Sequence, residues 1–372
     1  MSRYRTLDHS FGRGEPFTIG LEEELLLVDP ESLALSHTAD RVLPDLDLYP
    51  DRAGHEAFLA EVELRSGPRG RAADAATELE ATRTAVRVAG ATLMAVGLHP
   101  DAELGDVKLT PAERYEALEQ RLRGLIRRTP ECALHVHVGI PDADAACRAL
   151  TALREALPLL QGLAASSPFW FGRDSGLDSA RSAMVRGYPG RGAPPPMAGW
   201  TDYLAELEAV AKGAGPDDPR SAMTWWDVRL QPRLGTVEMR ELDVQARLDD
   251  VAGIAALVRA LAERGVDRLI ADPAPAAALA WSWFNASRDG LDALILHRGR
   301  RVPLRVAASV ELAGLAGGAP ELQGVARILS DGNGASRQRA AFARGGMRSL
   351  LEHLVDETAL PLGGTTQRRE ER

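Results

Sequence analysis

The chain has 372 residues, of which 45% are hydrophobic, and a formal net charge of −9. That is enough apolar material for a large core, and the acidic balance argues against a sequence-independent grip on nucleic acid or anionic lipid. Two cysteines, Cys132 and Cys147, form no Cys-x-x-Cys pair, which fits a reducing compartment. Residues 1–16 are polar without an apolar run of signal-peptide length, and the longest apolar region, Pro273 to Ala286, falls short of a membrane span. A cytoplasmic protein with no membrane or nucleic-acid partner is expected. No low-complexity linker divides the chain, so the expected organisation is a flexible N-terminus (1–14), one catalytic domain (15–362) and a disordered tail (363–372).

In chain order, the segment from Phe17 to Leu27 alternates. Phe17, Ile19, Leu21, Leu25 and Leu27 share one face of a strand, and Glu22 and Glu24 share the other. Phe58 to Arg65 is expected as a second strand carrying Glu61 and Glu63, followed by an alanine-rich helix from about Ala72 to Ala95. Thr110, Pro111 and Glu113 fit the N-cap, N1 and N3 positions of a helix running to about Arg128. A strand holding His135 and His137 on one face follows, then a helix from about Ala143 to Ala165 that Pro158 kinks or splits. Residues 166–199 are expected to be irregular, with Arg173, Arg181, Arg186 and Arg191 placed to meet phosphates or carboxylates. Strands over Thr224–Leu230 and Gly235–Leu242, joined through Gln231-Pro232-Arg233-Leu234, form a hairpin that presents Glu238 and Arg240 on one face. The remainder is helical. Hairpins and half-apolar strands among long helices give an α+β fold with an antiparallel sheet.

Three stretches thus place acidic or imidazole side chains two residues apart on strands, and a fourth places Glu238 beside Arg240 at the same spacing. Two carboxylates about 4 Å apart at an effective dielectric of about 20 repel by roughly 4 kcal/mol. A face gathering several must hold protons or bind cations, and oxygen-rich sets suit Mg²⁺ or Mn²⁺ with histidine as a tolerated ligand. Scattered surface charge explains one Glu-x-Glu more readily than four such stretches together. Such a face provides the parts for phosphoryl transfer, which rests on positioning and charge neutralisation. With no Walker loop or dinucleotide fingerprint, an ATP user of this kind holds its phosphates through metals and side chains. A zinc hydrolase built on His135 and His137 is a competing reading, disfavoured by the predominance of carboxylates.

Six ordered motifs are Gly20-Leu21-Glu22-Glu23-Glu24, Gly97-Leu98-His99-Pro100, Leu134-His135-Val136-His137-Val138-Gly139, Ser166-Ser167-Pro168-Phe169-Trp170, Trp226-Asp227-Val228-Arg229 and Gly235-Thr236-Val237-Glu238-Met239-Arg240. Together they resemble the type 2 glutamate–cysteine ligases, or carboxylate-amine ligases, over roughly residues 15–300. The resemblance implies a fold like the glutamine synthetase catalytic domain, a curved antiparallel sheet forming an active-site funnel flanked by helices. It implies an ATP- and Mg²⁺-dependent ligase, with Mn²⁺ as an alternative ion, that phosphorylates the γ-carboxylate of glutamate and lets an amine such as cysteine's displace phosphate. The substrates are then an amino-acid carboxylate and an amine, and a homodimer stays open.

By position, the resemblance makes Glu22, Glu24, Glu63, His135 and Glu238 metal ligands, Arg240 and Glu56 catalytic, and His137, Arg229, Asp227 and Arg181 nucleotide or substrate contacts. Glu23 and Glu61 fall outside the matched set and are expected to be structural or solvent-facing, His99 to be a packed turn histidine, and Trp225, Trp226, Trp281 and Trp283 to be core aromatics. Leu98, where the family often has threonine, and Gln231-Pro232-Arg233-Leu234, where it often has Ser-Pro-His-Phe, put substrate identity in question and admit a non-catalytic nucleotide-binding descendant.

Overall fold

The computed structural model describes residues 7–46, 51–214, 225–315 and 318–364. The first half of the chain runs through β1 (Ile19–Val28), α1 (Ala39–Val42), β2 (Ala53–His55), β3 (Glu61–Arg65), α2 (Ala72–Val88), β4 (Thr92–Met94), α3 (Glu113–Leu122), β5 (Ala133–Gly139) and α4 (Ala143–Ala164). It continues with β6 (Phe169–Trp170), β7 (Arg173–Asp174), α5 (Ala180–Val185), α6 (Trp200–Ala214), β8 (Val228–Gln231), β9 (Thr236–Asp243), α7 (Leu248–Val266), α8 (Ala276–Asp289), β10 (Leu294–His297), β11 (Arg300–Pro303), α9 (Leu304–Gly314), α10 (Gln323–Asp331) and α11 (Gly334–Thr358).

The main sheet has the order β2-β3-β1-β5-β9-β8, with β4 pairing the far end of β1, and every pairing is antiparallel. Ile19, Leu21, Leu25, Val62, Leu64, Leu134, Val136, Val138, Val237 and Met239 are buried on one face, against which α2, α4 and α7 pack. Burying each such side chain stabilises the layer by about 1.5–3 kcal/mol before entropy is counted. Register then fixes the opposite face, because residues directly paired in an antiparallel ladder point the same way. Glu24 pairs with Glu63, Glu22 with His135 and with Arg65, His137 with Glu238, and Glu238 with Arg229. The α+β class and its antiparallel sheet are as the alternation predicts.

Several element boundaries differ from the sequence reading. The helix expected to reach Ala95 stops at Val88, because Gly90 turns the chain with φ +87° and Thr92–Met94 pairs with β1 instead. Thr110 does not cap α3. Its hydroxyl donates to the Glu56 carbonyl at 2.7 Å, and the helix starts at Glu113 after Ala112. Pro158 neither splits nor ends α4, which runs unbroken because packing against α7 and α8 outweighs the lost backbone bond. The stretch 166–199 is more regular than expected, containing β6, β7 and α5.

The flexible start drawn over residues 1–14 does not describe residues 7–14. There Phe11 is 6% exposed, Ser10 N–H donates to the Pro232 carbonyl at 2.7 Å, and Gly12 N–H donates to Ile140 at 3.1 Å. Residues 1–6, Thr224 and the expected tail from 365 onward lie outside the described residues.

Candidate active site

The polar face of the sheet gathers side chains from β1, β3, β5, β8 and β9. Glu22 is the centre. Its carboxylate lies 3.3 Å from His135 Nδ1, 3.7 Å from His137 Nε2 and 4.0 Å from Arg65 Nε. Glu63 is paired with Arg65, and Glu24 accepts the Ala133 N–H at 2.6 Å with His135 Nε2 3.9 Å away. Glu238 is clasped by Arg229 Nε at 2.6 Å, Arg240 Nη1 at 2.9 Å and Gln231 Nε2 at 2.9 Å.

Two sets of donors are spaced to hold a cation, Glu22 with His137 and Glu238, and Glu22 with Glu63 and His135, with ligand atoms within 4.8 Å of one another in each. His137 tests the fit. Its Nδ1 is held 3.0 Å from Thr236 Oγ1, while Nε2 is buried with no hydrogen-bond partner and stands 3.7 and 3.8 Å from the Glu22 and Glu238 oxygens. Those distances are too long for hydrogen bonds and leave room for an ion, and a ligating histidine is normally oriented through its other nitrogen in this way.

The cluster lies between two clefts. A larger one of about 580 Å³ is lined by Glu22, His137, Arg65, Thr18, Thr236 and the backbone at Gly12, Gly14, Gly139 and Gly235. A smaller one of about 150 Å³ is lined by Glu24, Glu56, Glu61, Glu131, Arg181, Arg191, Arg240 and the aromatic and aliphatic walls Phe58, Leu118, Tyr188 and Trp225.

Electrostatics separates the two sides. Burial raises Glu22, but hydrogen bonds and charge from His135 and His137 outweigh it and hold its carboxyl far below the usual range. Burial likewise raises Glu238, and Arg240 and Arg229 more than reverse it. His137 is raised because Glu238 and Glu22 overcome its desolvation, and His135 is lowered by burial and Arg240. In the smaller cleft the balance is opposite. Burial raises Glu24, Glu56, Glu61 and Glu131, with neighbouring carboxylates adding to the rise at Glu61. A charged, ion-ready face thus adjoins a chamber whose carboxyls favour the proton.

Of the residues named from sequence, Glu22, Glu24, Glu63, His135, His137, Glu238, Arg229 and Arg240 lie together in the cluster. Glu56 and Arg181 line the smaller cleft, and Arg181 is anchored by the Glu241 carbonyl at 3.0 Å and by Asp243 at 3.5 Å. Asp227 does not face either cleft. It is fully buried, and its carboxylate accepts Arg186 at 2.7 and 3.1 Å and the Gly192 N–H at 3.2 Å.

Glu23 lies on the apolar face, paired with Arg83 at 2.6 and 2.8 Å. Glu61 accepts Cys132 Sγ at 3.0 Å at the chamber wall rather than facing solvent, because β3 carries it on the same face as Glu63. His99 is the packed turn histidine expected, bound to Leu33 O at 2.9 Å and accepting the N–H groups of Asp101 and Ala102. Trp281 is 69% exposed and not a core residue, whereas Trp226 and Trp283 are buried.

Sequence reasoning missed Glu241 and Asp243. The ladder pairs Val136 with Met239 and Leu134 with Leu242, so Arg240 and Glu241 both stand opposite His135. This bulge shifts parity and brings Glu241 and Asp243 to the polar side. Asp243 accepts Ser166 N–H at 2.8 Å, Ser167 Oγ at 2.7 Å and Ser179 Oγ at 3.0 Å. A Cβ on Gly97 would come within 2.9 Å of it, which ties two of the sequence motifs, those at Gly97 and Ser166, to one carboxylate. Arg65 was within reach of the sequence, since Glu61, Glu63 and Arg65 alternate.

A family model described as glutamate–cysteine ligase family 2 matches residues 18–356. The chain belongs to this family. Relatives bearing provisional glutamate–cysteine ligase 2 names include one from Rubrobacter xylanophilus, 34% identical over 95% of this chain and 100% of its own length. Another, from Rhodospirillum rubrum, is 33% identical over 94% and 98%.

Among solved structures, glutamate–cysteine ligase from Francisella tularensis in complex with AMP shares the fold at TM-score 0.68 and 14% identity, over 92% of this chain and 88% of that one. A bifunctional glutathione synthetase from Pasteurella multocida matches at TM-score 0.61 and 15% identity, and this chain, 92% covered, spans about half (52%) of it. Membership makes the protein a ligase acting on small molecules. Among its departures from common family residues, Leu98 is fully buried against Ala180 and Met184. Arg233 is exposed beside Leu234 at the larger cleft. No helix among the described residues is long and apolar enough to cross a membrane.

Proposed function

We propose that this family 2 ligase is an ATP-dependent carboxylate-amine ligase of the cytoplasm that forms a γ-glutamyl amide, with glutamate and cysteine as the first pair to test. The observation that carries this reading is the position of the donor cluster at the junction of a large cleft and a small chamber. ATP enters the larger cleft with its phosphates toward Glu22 and His137, and the amino acid enters the smaller one.

Glu22, Glu63, His135, His137 and Glu238 would hold Mg²⁺ or Mn²⁺, which screens the charge of the triphosphate. A γ-carboxylate in the small chamber then attacks the terminal phosphorus, giving an acyl phosphate and ADP. The amine attacks the acyl carbon and inorganic phosphate leaves. Arg240, whose Nε is buried without a partner, steadies the phosphoryl group in transfer. Glu56, raised by burial, takes the proton the amine sheds. Each candidate donor set joins one imidazole nitrogen to two carboxylates, which favours hard ions over the zinc of a hydrolase.

Incubation with ATP, Mg²⁺, glutamate and cysteine is expected to release ADP and yield γ-glutamylcysteine. Glu63→Gln and Glu238→Gln are each expected to lower both by about 100-fold or more, since even residues that only support a ligand cost 10- to 100-fold. ATP binding by calorimetry without turnover, across a panel of amino acids and amines, would favour the non-catalytic descendant instead.

A further inference from the structure

The loop after α5 carries an arginine that the reaction as described does not use. Arg191 stands between Gly190 and Gly192, whose φ values of +77° and +125° let the chain make a tight excursion. Asp227 grips this excursion. It accepts the Gly192 N–H at 3.2 Å, gives its own N–H to the Gly192 carbonyl at 2.9 Å, and binds Arg186, at the start of the loop, through two hydrogen bonds. Arg186 is fixed in turn over the Trp283 ring at 3.7 Å. The result is a side chain set into the wall of the small chamber, near Arg181 and Arg240.

Arg191 differs from those two. Arg240 is bound to Glu238, and Arg181 to the Glu241 carbonyl. The guanidinium of Arg191 has no acceptor among the described residues, and its Nε and Nη1 are sealed from solvent. Guanidinium N–H groups sealed without an acceptor are costly, and donors left open at a cleft mark the place of an anion. We infer that Arg191 is the specificity-determining residue that holds the unreacted carboxylate of the amino-acid substrate, and that Asp227 positions it through the loop. A carboxylate suits this place better than a phosphate, because the chamber is about 150 Å³ and is walled by Glu24, Glu56 and Glu61, whereas the ion-ready groups meet the larger cleft. The same carboxyls face the ammonium end of a zwitterion.

This inference rests on the ligase reading, and the test separates the two. With ATP, Mg²⁺ and cysteine, KM for glutamate and for its α-carboxamide is measured for the wild type, Arg191→Ala, Arg191→Lys and Asp227→Asn. Arg191→Ala is expected to raise KM for glutamate by roughly 10- to 100-fold while leaving KM for ATP unchanged, with Arg191→Lys in between. The α-carboxamide, poor for the wild type, should lose nothing further. Asp227→Asn should move KM for glutamate the same way, and the Arg191→Ala/Asp227→Asn double variant should be no worse than Arg191→Ala.

Equal penalties on glutamate and its α-carboxamide, or a rise in KM for ATP as large as that for glutamate, would overturn the inference, as would additive effects of the two residues for the role of Asp227. Should the wild type show no turnover, the ligase reading fails and calorimetry with glutamate decides this point alone. Binding lost in Arg191→Ala and partly kept in Arg191→Lys supports it, and unchanged or absent binding overturns it.

Discussion

Glu241 is held where its charge is hardest to keep. It is fully buried, accepts Trp283 Nε1 at 3.0 Å and lies 3.7 Å from Arg186. Burial first, and then the charge of Asp227, push its carboxyl up to about 7 from 4.5. Between these values the folded protein keeps a proton that the unfolded chain has released. Its contribution to stability is therefore greatest at low pH and falls as pH rises through that window, by up to about 3 kcal/mol. Glu241→Gln removes this dependence, so the variant is expected to gain on the wild type between pH 5 and pH 8, read as the difference in urea unfolding free energies at the two values. A difference that does not move with pH contradicts the account. Glu241 was hidden in the sequence because reading side chains two apart assumes an unbroken ladder. Glu22, Glu24, His135, His137 and Glu238 sit in regular stretches of strand and were legible, whereas the bulge that turns Glu241 inward comes from how β9 meets β5.

At the scale of elements, the sheet and the helices behind it are joined by one buried ion pair. Arg83 of α2 meets Glu23 of β1 at 2.6 and 2.8 Å and also donates to the carbonyls of Gln245 and Ala246, just ahead of α7. Both side chains are within 1% of full burial. Removing one partner leaves a charge with nothing to balance it, so Glu23→Ala is expected to cost about 3–5 kcal/mol in denaturant unfolding. Replacing both, as Glu23→Leu with Arg83→Met, should recover most of that loss. A double variant as unstable as the single one would mean that the carbonyl contacts of Arg83, and not the pair, bind the layers. Glu23 illustrates the limit of alternation. Its position opposite Glu22 and Glu24 was readable, but its partner sixty residues away was not. Helix ends were harder for the same reason, since α2 ends at Val88 where Gly90 turns the chain and Thr92–Met94 finds an edge of β1 to pair with.

At the scale of the whole molecule, the candidate site is a long-range object. Glu22, Glu63, His135 and Glu238 come from four strands, and the motifs that signalled them needed the fold to bring them together. Arg65, Arg229, Arg240 and the two imidazoles already balance part of their charge, and a bound cation would add a cross-link among β1, β3, β5 and β9. An ion and nucleotide that bind only the folded protein stabilise it by about 2.7 kcal/mol at a hundred times Kd. For a chain of this length that corresponds to a rise of several degrees in Tm, at about 2–4 °C per kcal/mol for somewhat smaller domains. Adding MgCl₂ and ATP is therefore expected to raise Tm by that amount, and EDTA to return it to the ion-free value. Glu22→Gln, which strikes both donor sets at once, should lose most of the rise, whereas Glu63→Gln and Glu238→Gln, each belonging to one set, should keep part of it. If all three variants keep the full rise, the ion and nucleotide bind elsewhere on the molecule and the convergence of these strands serves another purpose.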